Sequence, residues 1–311
     1  MDDAPIFFHI SYMQLTDSYG RTIKSLRISI TNRCNLKCIY CHREGQTRYT
    51  NNEMNVETIA NIVRASKRFG VNKVKFSGGE PLMRNDFENI LKALPELKDI
   101  SATTNGTSLV KRAQDLAGSG LNRINISLPS LRAEKYRKVT GGDVSIVLDG
   151  IDAAVASGLI PVKLNMVLMK GLNADEIPEM MDFVQKYDGK VILQLIELMN
   201  FQQTAQYQVN INEVEKFLEK RATDIEERSM HRRRKYHIDG IEVELVRPID
   251  NSHFCANCNR LRVTSDGKLK PCLLRNDNLV DVNSKEPGEI AELMKFAMEK
   301  REPFYKDTGE L

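Results

Sequence analysis

All six cysteines of this 311-residue chain fall into two short clusters about 210 residues apart. Cys34, Cys38 and Cys41 are spaced C-x3-C-x2-C, and Cys255, Cys258 and Cys272 are spaced C-x2-C-x13-C. These trios constrain the fold because each set of thiols has to gather at one place. Three thiolates can hold three irons of a cubane [4Fe–4S] cluster and leave the fourth iron open to a small molecule. Zinc wants four ligands in a tetrahedron, and the nearby candidates are His42, adjacent to Cys41, and His253, close to Cys255. Adjacent residues rarely reach one ion, so two open iron–sulfur clusters are the stronger reading.

With 41% hydrophobic residues the chain is long enough for a large core and one or two domains. A net charge of +3 against 28% charged residues leaves no overall polyanion footprint. The run His231-Arg232-Arg233-Arg234-Lys235 lacks interleaved aromatics and reads as a solvated turn before a strand rather than a nucleic-acid patch. No apolar run has the length of a membrane span. Ile6–Ile10 follows two aspartates instead of a basic segment and is no secretory signal. A cytoplasmic protein with reduced, metal-ready thiols is expected.

Short apolar runs at 26–30, 73–76, 99–103, 123–128, 162–168 and 191–197 alternate with amphipathic stretches, several closing at glycine (Gly70, Gly120, Gly158). The expected fold is α/β: six strand–helix units forming an incomplete (β/α)6 TIM-like barrel with functional loops at the strands' C-terminal ends. After about residue 200 the rhythm changes. A helix over 212–227 precedes a hairpin, 234–238 and 241–246, turning at Asp239-Gly240. A second hairpin, 260–264 and 268–273, brings Cys272 back beside Cys258, and a helix over 288–300 follows. The expected domains are an N-terminal extension (1–20), the partial barrel (21–200) and a C-terminal region carrying hairpins and the second cluster (201–311).

The first trio follows the first strand, where a functional βα loop belongs. Ser77-Gly78-Gly79-Glu80-Pro81 follows the second strand; two glycines admit close backbone approach, and a carboxylate can pair with an ammonium. This combination resembles the radical S-adenosylmethionine (SAM) superfamily. The resemblance implies that Cys34, Cys38 and Cys41 hold a cluster whose open iron chelates SAM, and that reductive cleavage of SAM gives a 5′-deoxyadenosyl radical. It also implies SAM contacts at Tyr40, Gly79, Glu80, Ser127 and Met199.

Arg260 and Arg262 alternate on one strand beside the second trio, and paired guanidiniums match phosphate recognition. From about residue 20 to 275 the chain resembles the MoaA family, the GTP 3′,8-cyclases of molybdenum cofactor biosynthesis. That resemblance implies a lyase in which Cys255, Cys258 and Cys272 hold a second [4Fe–4S] cluster that binds guanine. The radical abstracts hydrogen from the ribose 3′ carbon, and attack on C8 gives 3′,8-cyclo-7,8-dihydro-GTP. Arg27, Lys75, Thr103, Lys163, Arg260 and Arg262 match GTP contacts. The implied partners are an electron donor and a downstream cyclic pyranopterin monophosphate synthase, with no nucleic acid or membrane; a homodimer is compatible with the sequence and not specified by it.

Three positions depart from the family pattern. Lys75 replaces an arginine and loses its fork. Pro129 stands where aspartate is usual. Thr308-Gly309-Glu310-Leu311 lacks the terminal Gly-Gly pair of many members. Two other readings compete: a radical SAM peptide or protein modifier with the C-terminal cluster as electron carrier, and an iron–sulfur or zinc scaffold. Modifiers usually have cysteines enough to saturate the auxiliary cluster, and a scaffold explains neither the Gly-Gly-Glu loop nor the Arg-x-Arg pair.

Overall fold

A computed structural model describes residues 13–46, 52–199, 204–228, 233–248 and 255–304. Among them a single open, mixed sheet runs through the molecule. Its first six strands are β1 (Ser25–Ser29), β2 (Lys73–Ser77), β3 (Asp99–Thr104), β4 (Arg123–Ser127), β5 (Val162–Leu168) and β6 (Val191–Glu197). They pair in parallel in sequence order. The intervening helices are α1 (Val56–Lys67), α2 (Phe87–Ala93), α3 (Leu109–Gly118), α4 (Ala133–Thr140), α5 (Val144–Ala156) and α6 (Ile177–Gln185).

The period of two within each strand sorts the two faces. Leu26, Ile28, Phe76, Ala102, Ile124, Ile126 and Leu164 are wholly buried in the core, each apolar side chain contributing about 1.5–3 kcal/mol for the larger residues. The alternating set, including Arg27, Lys75, Ser101, Thr103, Asn125 and Lys163, lines a cavity instead. Parallel sheets usually bury apolar residues on both faces. Here one face is largely polar, with Val167 and Ile196 as apolar members on β5 and β6, so the strands position a site as well as a core.

The C-terminal region departs from the expected appendage of hairpins. It supplies α7 (Ile211–Arg221), β7 (Asp224–Glu227), β8 (Arg234–Ile238), β9 (Ile241–Val246), β10 (Arg260–Val263), β11 (Lys268–Lys270), β12 (Val280–Asp281) and α8 (Pro287–Glu299). β9 joins β6 in parallel and β10 joins β1 in parallel, so this region extends both ends of the first six strands. The full order is β12-β11-β10-β1-β2-β3-β4-β5-β6-β9-β8-β7.

The β8–β9 hairpin has the expected bounds, with Asp239 and Gly240 both at positive φ. The helix expected over 212–227 stops at Arg221. Residues 224–227 are drawn into an antiparallel ladder with β8, because sheet pairing outweighs local helix propensity. The strand expected over 268–273 likewise ends at Lys270, where the chain turns toward Cys272. Among the described residues no helix is long and apolar enough to cross a membrane. Residues Ile6–Ile10, His231, Arg232, His253 and the chain end 308–311 lie outside the described residues.

Candidate active site

The loop after β1 carries the first trio. It is fixed to the end of α4, where the Lys37 and Ile39 amides donate to Thr140 and Val139 carbonyls at 3.0 Å. The Gly-Gly-Glu loop lies directly against it. Gly79 and Glu80 amides donate to the Thr31 and Arg33 carbonyls at 2.8 and 2.7 Å. A Cβ on Gly79 would stand 2.1 Å from the Arg33 carbonyl oxygen, and one on Gly78 2.3 Å from that of Thr31. The close approach of the cysteine-bearing loop thus requires glycine at both positions, where the sequence suggests close approach to a ligand.

Glu80 does more inside the protein than its motif indicates. Its buried carboxylate accepts from the Leu82 amide (2.9 Å), the Thr104 hydroxyl (2.6 Å) and the Asn105 amide (2.6 Å). These three bonds fasten the end of β3 to the Gly-Gly turn, and since a carboxylate has about four acceptor sites, about one remains for a ligand. Tyr40 packs beside Val139, Met169, Leu172 and Leu198.

None of the six cysteines is in a disulfide. Burial pushes the Cys38 thiol up to about 12, with Cys41 and Cys34 adding to the rise against a hydrogen bond from Tyr40. Ionising Cys38 therefore calls for a cationic partner, a part that an iron of a cluster would fill. Among the described residues no three Cys, His, Asp or Glu side chains converge on a single-ion position. Thiolates that each bind a different iron of a cubane do not need to converge in that way. Burial pushes the His42 imidazole down, and its Nδ1 has no hydrogen-bond partner among the described residues.

The second trio sits in a different field. Burial opposes ionisation of Cys258, yet Arg301 and the backbone and side chain of Arg260 hold its thiol below the ordinary value. The loop bearing Cys255 and Cys258 is clamped by two arginines. Arg21 Nη1 donates to the Cys255 carbonyl and Arg301 Nη2 to the Cys258 carbonyl, both at 3.2 Å. Buried Asp17 holds both arginines, at 2.6 Å from Arg21 Nε and 3.2 Å from Arg301 Nη1. The N-terminal segment, which has no assigned role in the sequence, thus meets the segment after α8 at this loop.

Parallel pairing of β1 with β10 sets Arg27 opposite Arg262. Both bind Glu44, at 3.4 and 2.8 Å. Burial would raise the Glu44 carboxyl, but Arg27, Arg262 and His42 outweigh it and hold it at about 2. Next to it, Gly45 abuts Leu273, and buried Lys270 donates to the Gly45 carbonyl at 3.0 Å. The loop after the first trio therefore touches the loop after the second.

Cys34, Cys38, Cys41, Cys255, Cys258 and Cys272 all border one cavity of about 710 Å³. So do Tyr40, Gly79, Glu80, Ser127 and Met199, and so do Arg27, Lys75, Thr103, Lys163, Arg260 and Arg262. Lys75 donates to Asn125 at 3.0 Å. Burial, then Arg27, Arg123 and Arg260, pushes its amine well below the ordinary value, so an anion here would be strongly favoured. Lys163, a GTP-contact position by resemblance, is ion-paired to Glu244. Sequence reading also missed Glu44, Asp17, Arg21 and Arg301. Only Glu44, a carboxylate between the third cysteine and a glycine, carries a local signal.

Residues 28–184 match the Radical SAM superfamily, and residues 191–306 match the Molybdenum Cofactor Synthesis C family. A probable GTP 3′,8-cyclase of Methanosarcina mazei is 57% identical over 94% of this chain and 90% of its own length. That of Thermococcus kodakarensis is 48% identical over 94% of this chain and all of its own length. In fold, the chain resembles Streptococcus suis SuiB bound to S-adenosylmethionine (TM-score 0.63, 20% identity, 85% of this chain and 62% of that one). It also resembles anSMEcpe with bound AdoMet (TM-score 0.62, 18% identity, 90% of this chain and 81% of that one). The chain belongs to the radical SAM superfamily and, within it, to the GTP 3′,8-cyclase family.

Proposed function

We propose that this chain is a radical SAM lyase converting GTP to 3′,8-cyclo-7,8-dihydro-GTP, the first step of molybdenum cofactor biosynthesis. The observation that carries the reading is one cavity bordered by both cysteine trios and by Arg27, Lys75, Arg260 and Arg262. Cys34, Cys38 and Cys41 would hold a [4Fe–4S] cluster, with SAM against Tyr40, Gly79, Glu80, Ser127 and Met199. Cluster and SAM, when bound, supply the one-electron chemistry that makes a carbon radical. Cys255, Cys258 and Cys272 would hold a second cluster presenting an open iron to the guanine base. The chain's own part is orientation and charge: several cations are needed to offset a triphosphate.

The two clusters divide along the chain. Residues 21–200, read as an incomplete (β/α)6 barrel, would carry the radical-generating cluster, and 201–311 the second cluster, with 1–20 as an extension and the substrate between the two. An electron donor and a downstream cyclic pyranopterin monophosphate synthase are the expected partners, in the cytoplasm. Against the peptide-modifier reading, three cysteines leave an auxiliary iron open, and buried cations suit a polyphosphate better than a peptide.

The test is anaerobic reconstitution, an iron count of about eight per chain for two cubanes, and incubation with SAM, reductant and GTP. The expected product is the cyclised nucleotide by mass spectrometry. Cleavage of SAM with GTP neither bound nor changed would refute the assignment.

A further inference from the structure

The basic run at 231–235 reads in the sequence as a solvated turn, and its described members divide. Arg234 is exposed and pairs with Glu215 and Glu219. Arg233 instead turns inward: its side chain is only 12% exposed and borders the cavity that holds the trios. The Arg228 amide donates to the Arg233 carbonyl at 2.9 Å, which holds the two arginines next to each other. Arg228 borders the same cavity.

Both arginines reach Glu244 on β9, which is fully buried behind the cavity wall. Glu244 Oε1 accepts from Lys163 and, at 2.5 Å, from Arg228 Nη1. Oε2 accepts from Gln194 at 2.5 Å and faces Arg233 Nη1 at 3.5 Å. Three cations thus share one carboxylate, which leaves two positive charges at the node. A terminal phosphate carries about −1.5 to −2 at neutral pH. Arg233 Nε is also a buried donor with no hydrogen-bond partner among the described residues, a costly state that a phosphate oxygen would relieve. Electrostatically the node is continuous with the rest of the site, since Arg27 and Arg123 act on Arg233 and Arg233 acts on Arg260.

We propose that Arg228 and Arg233, gathered with Lys163 around Glu244, bind the terminal phosphate of the nucleoside triphosphate, with Glu244 as the positioning residue. The assignment rests on the GTP reading above and adds what selects the length of the phosphate chain. The test is anaerobic equilibrium dialysis of cluster-loaded protein against GTP, GDP and guanosine, with SAM binding as a measure of folding. Arg228→Ala and Arg233→Ala should each weaken GTP at least about tenfold, the scale of one charge-assisted hydrogen bond, and leave GDP within about twofold. Arg233→Lys, which keeps the charge and loses the fork, should keep part of the preference for GTP. Glu244→Ala should lower the GTP-over-GDP preference although it removes a negative charge; tighter GTP binding would overturn its positioning role. A wild-type protein that binds no GTP overturns the nucleotide reading itself. A wild-type preference for GTP that the arginine variants retain overturns this assignment alone.

Discussion

Glu44 is the most informative single position to perturb, because one carboxylate holds Arg27 and Arg262 across the seam between β1 and β10. Its side chain is 12% exposed, so solvent screens it little. Holding its carboxyl at about 2, against an ordinary 4.5, corresponds to about 3 kcal/mol of folding stability at neutral pH. Glu44→Gln keeps the shape and removes the charge, leaving two guanidiniums without it, a change that typically costs about 3–5 kcal/mol for a buried pair. At roughly 2–4 °C per kcal/mol, a loss of about 3 kcal/mol should bring the variant's melting temperature about 6–12 °C below wild type at pH 7, measured by circular dichroism.

Two further readouts tie this loss to charge. The Glu44 contribution is fully present above the unfolded carboxyl value near 4.5 and is lost as pH falls toward the folded value of about 2. The melting gap between the two proteins should therefore be constant from pH 7 to about 5 and close below that. Inorganic tripolyphosphate should raise the melting temperature of Glu44→Gln more than that of wild type, because it supplies the anion the variant lacks. Equal melting temperatures, or an equal tripolyphosphate shift in both proteins, would refute the reasoning.

Asp17→Asn should loosen Arg21 and Arg301 from the loop bearing Cys255 and Cys258; iron per chain should drop from about eight to about four while SAM binding persists, and a full iron count would show that the clamp is dispensable. Gly79→Ala forces a Cβ to within 2.1 Å of the Arg33 carbonyl oxygen, so the Gly-Gly loop and the loop of the first trio have to separate. SAM binding by equilibrium dialysis should fall at least about tenfold, on the scale of a lost hydrogen-bonded contact to a charged group, with tight binding as the contrary result.

The core strands were legible because alternation of apolar and polar residues is written locally. β5 and β6 have the expected bounds, and β1 to β4 begin or end within one residue of them. Both trios, the Gly-Gly-Glu loop and Arg260 with Arg262 were legible from type and spacing, and all border one cavity. Long-range pairing was not legible. Nothing near Leu261 specifies that it will lie beside Leu26, and nothing near Arg228 specifies a buried acceptor on β9. The helix over 212–227 was over-extended for the same reason: Glu and Lys favour helix locally, and only the partner strand reveals that 224–227 is a ladder.

Strand order carries one more consequence. Without β9 and β10, β1 and β6 would be the two edges of the six-stranded array, each presenting unpaired backbone groups. Lys163 would lose its carboxylate on β9, and Glu44 its arginine on β10, in the same step. Residues 28–184 and 191–306 match different families, yet the sheet makes them interdependent: the second segment closes both flanks of the first. β10 sets the second trio next to Arg27, and β9 sets Glu244 behind Lys163. Radical generation and substrate binding are therefore not separable modules here, since the strands that finish the sheet also finish the site.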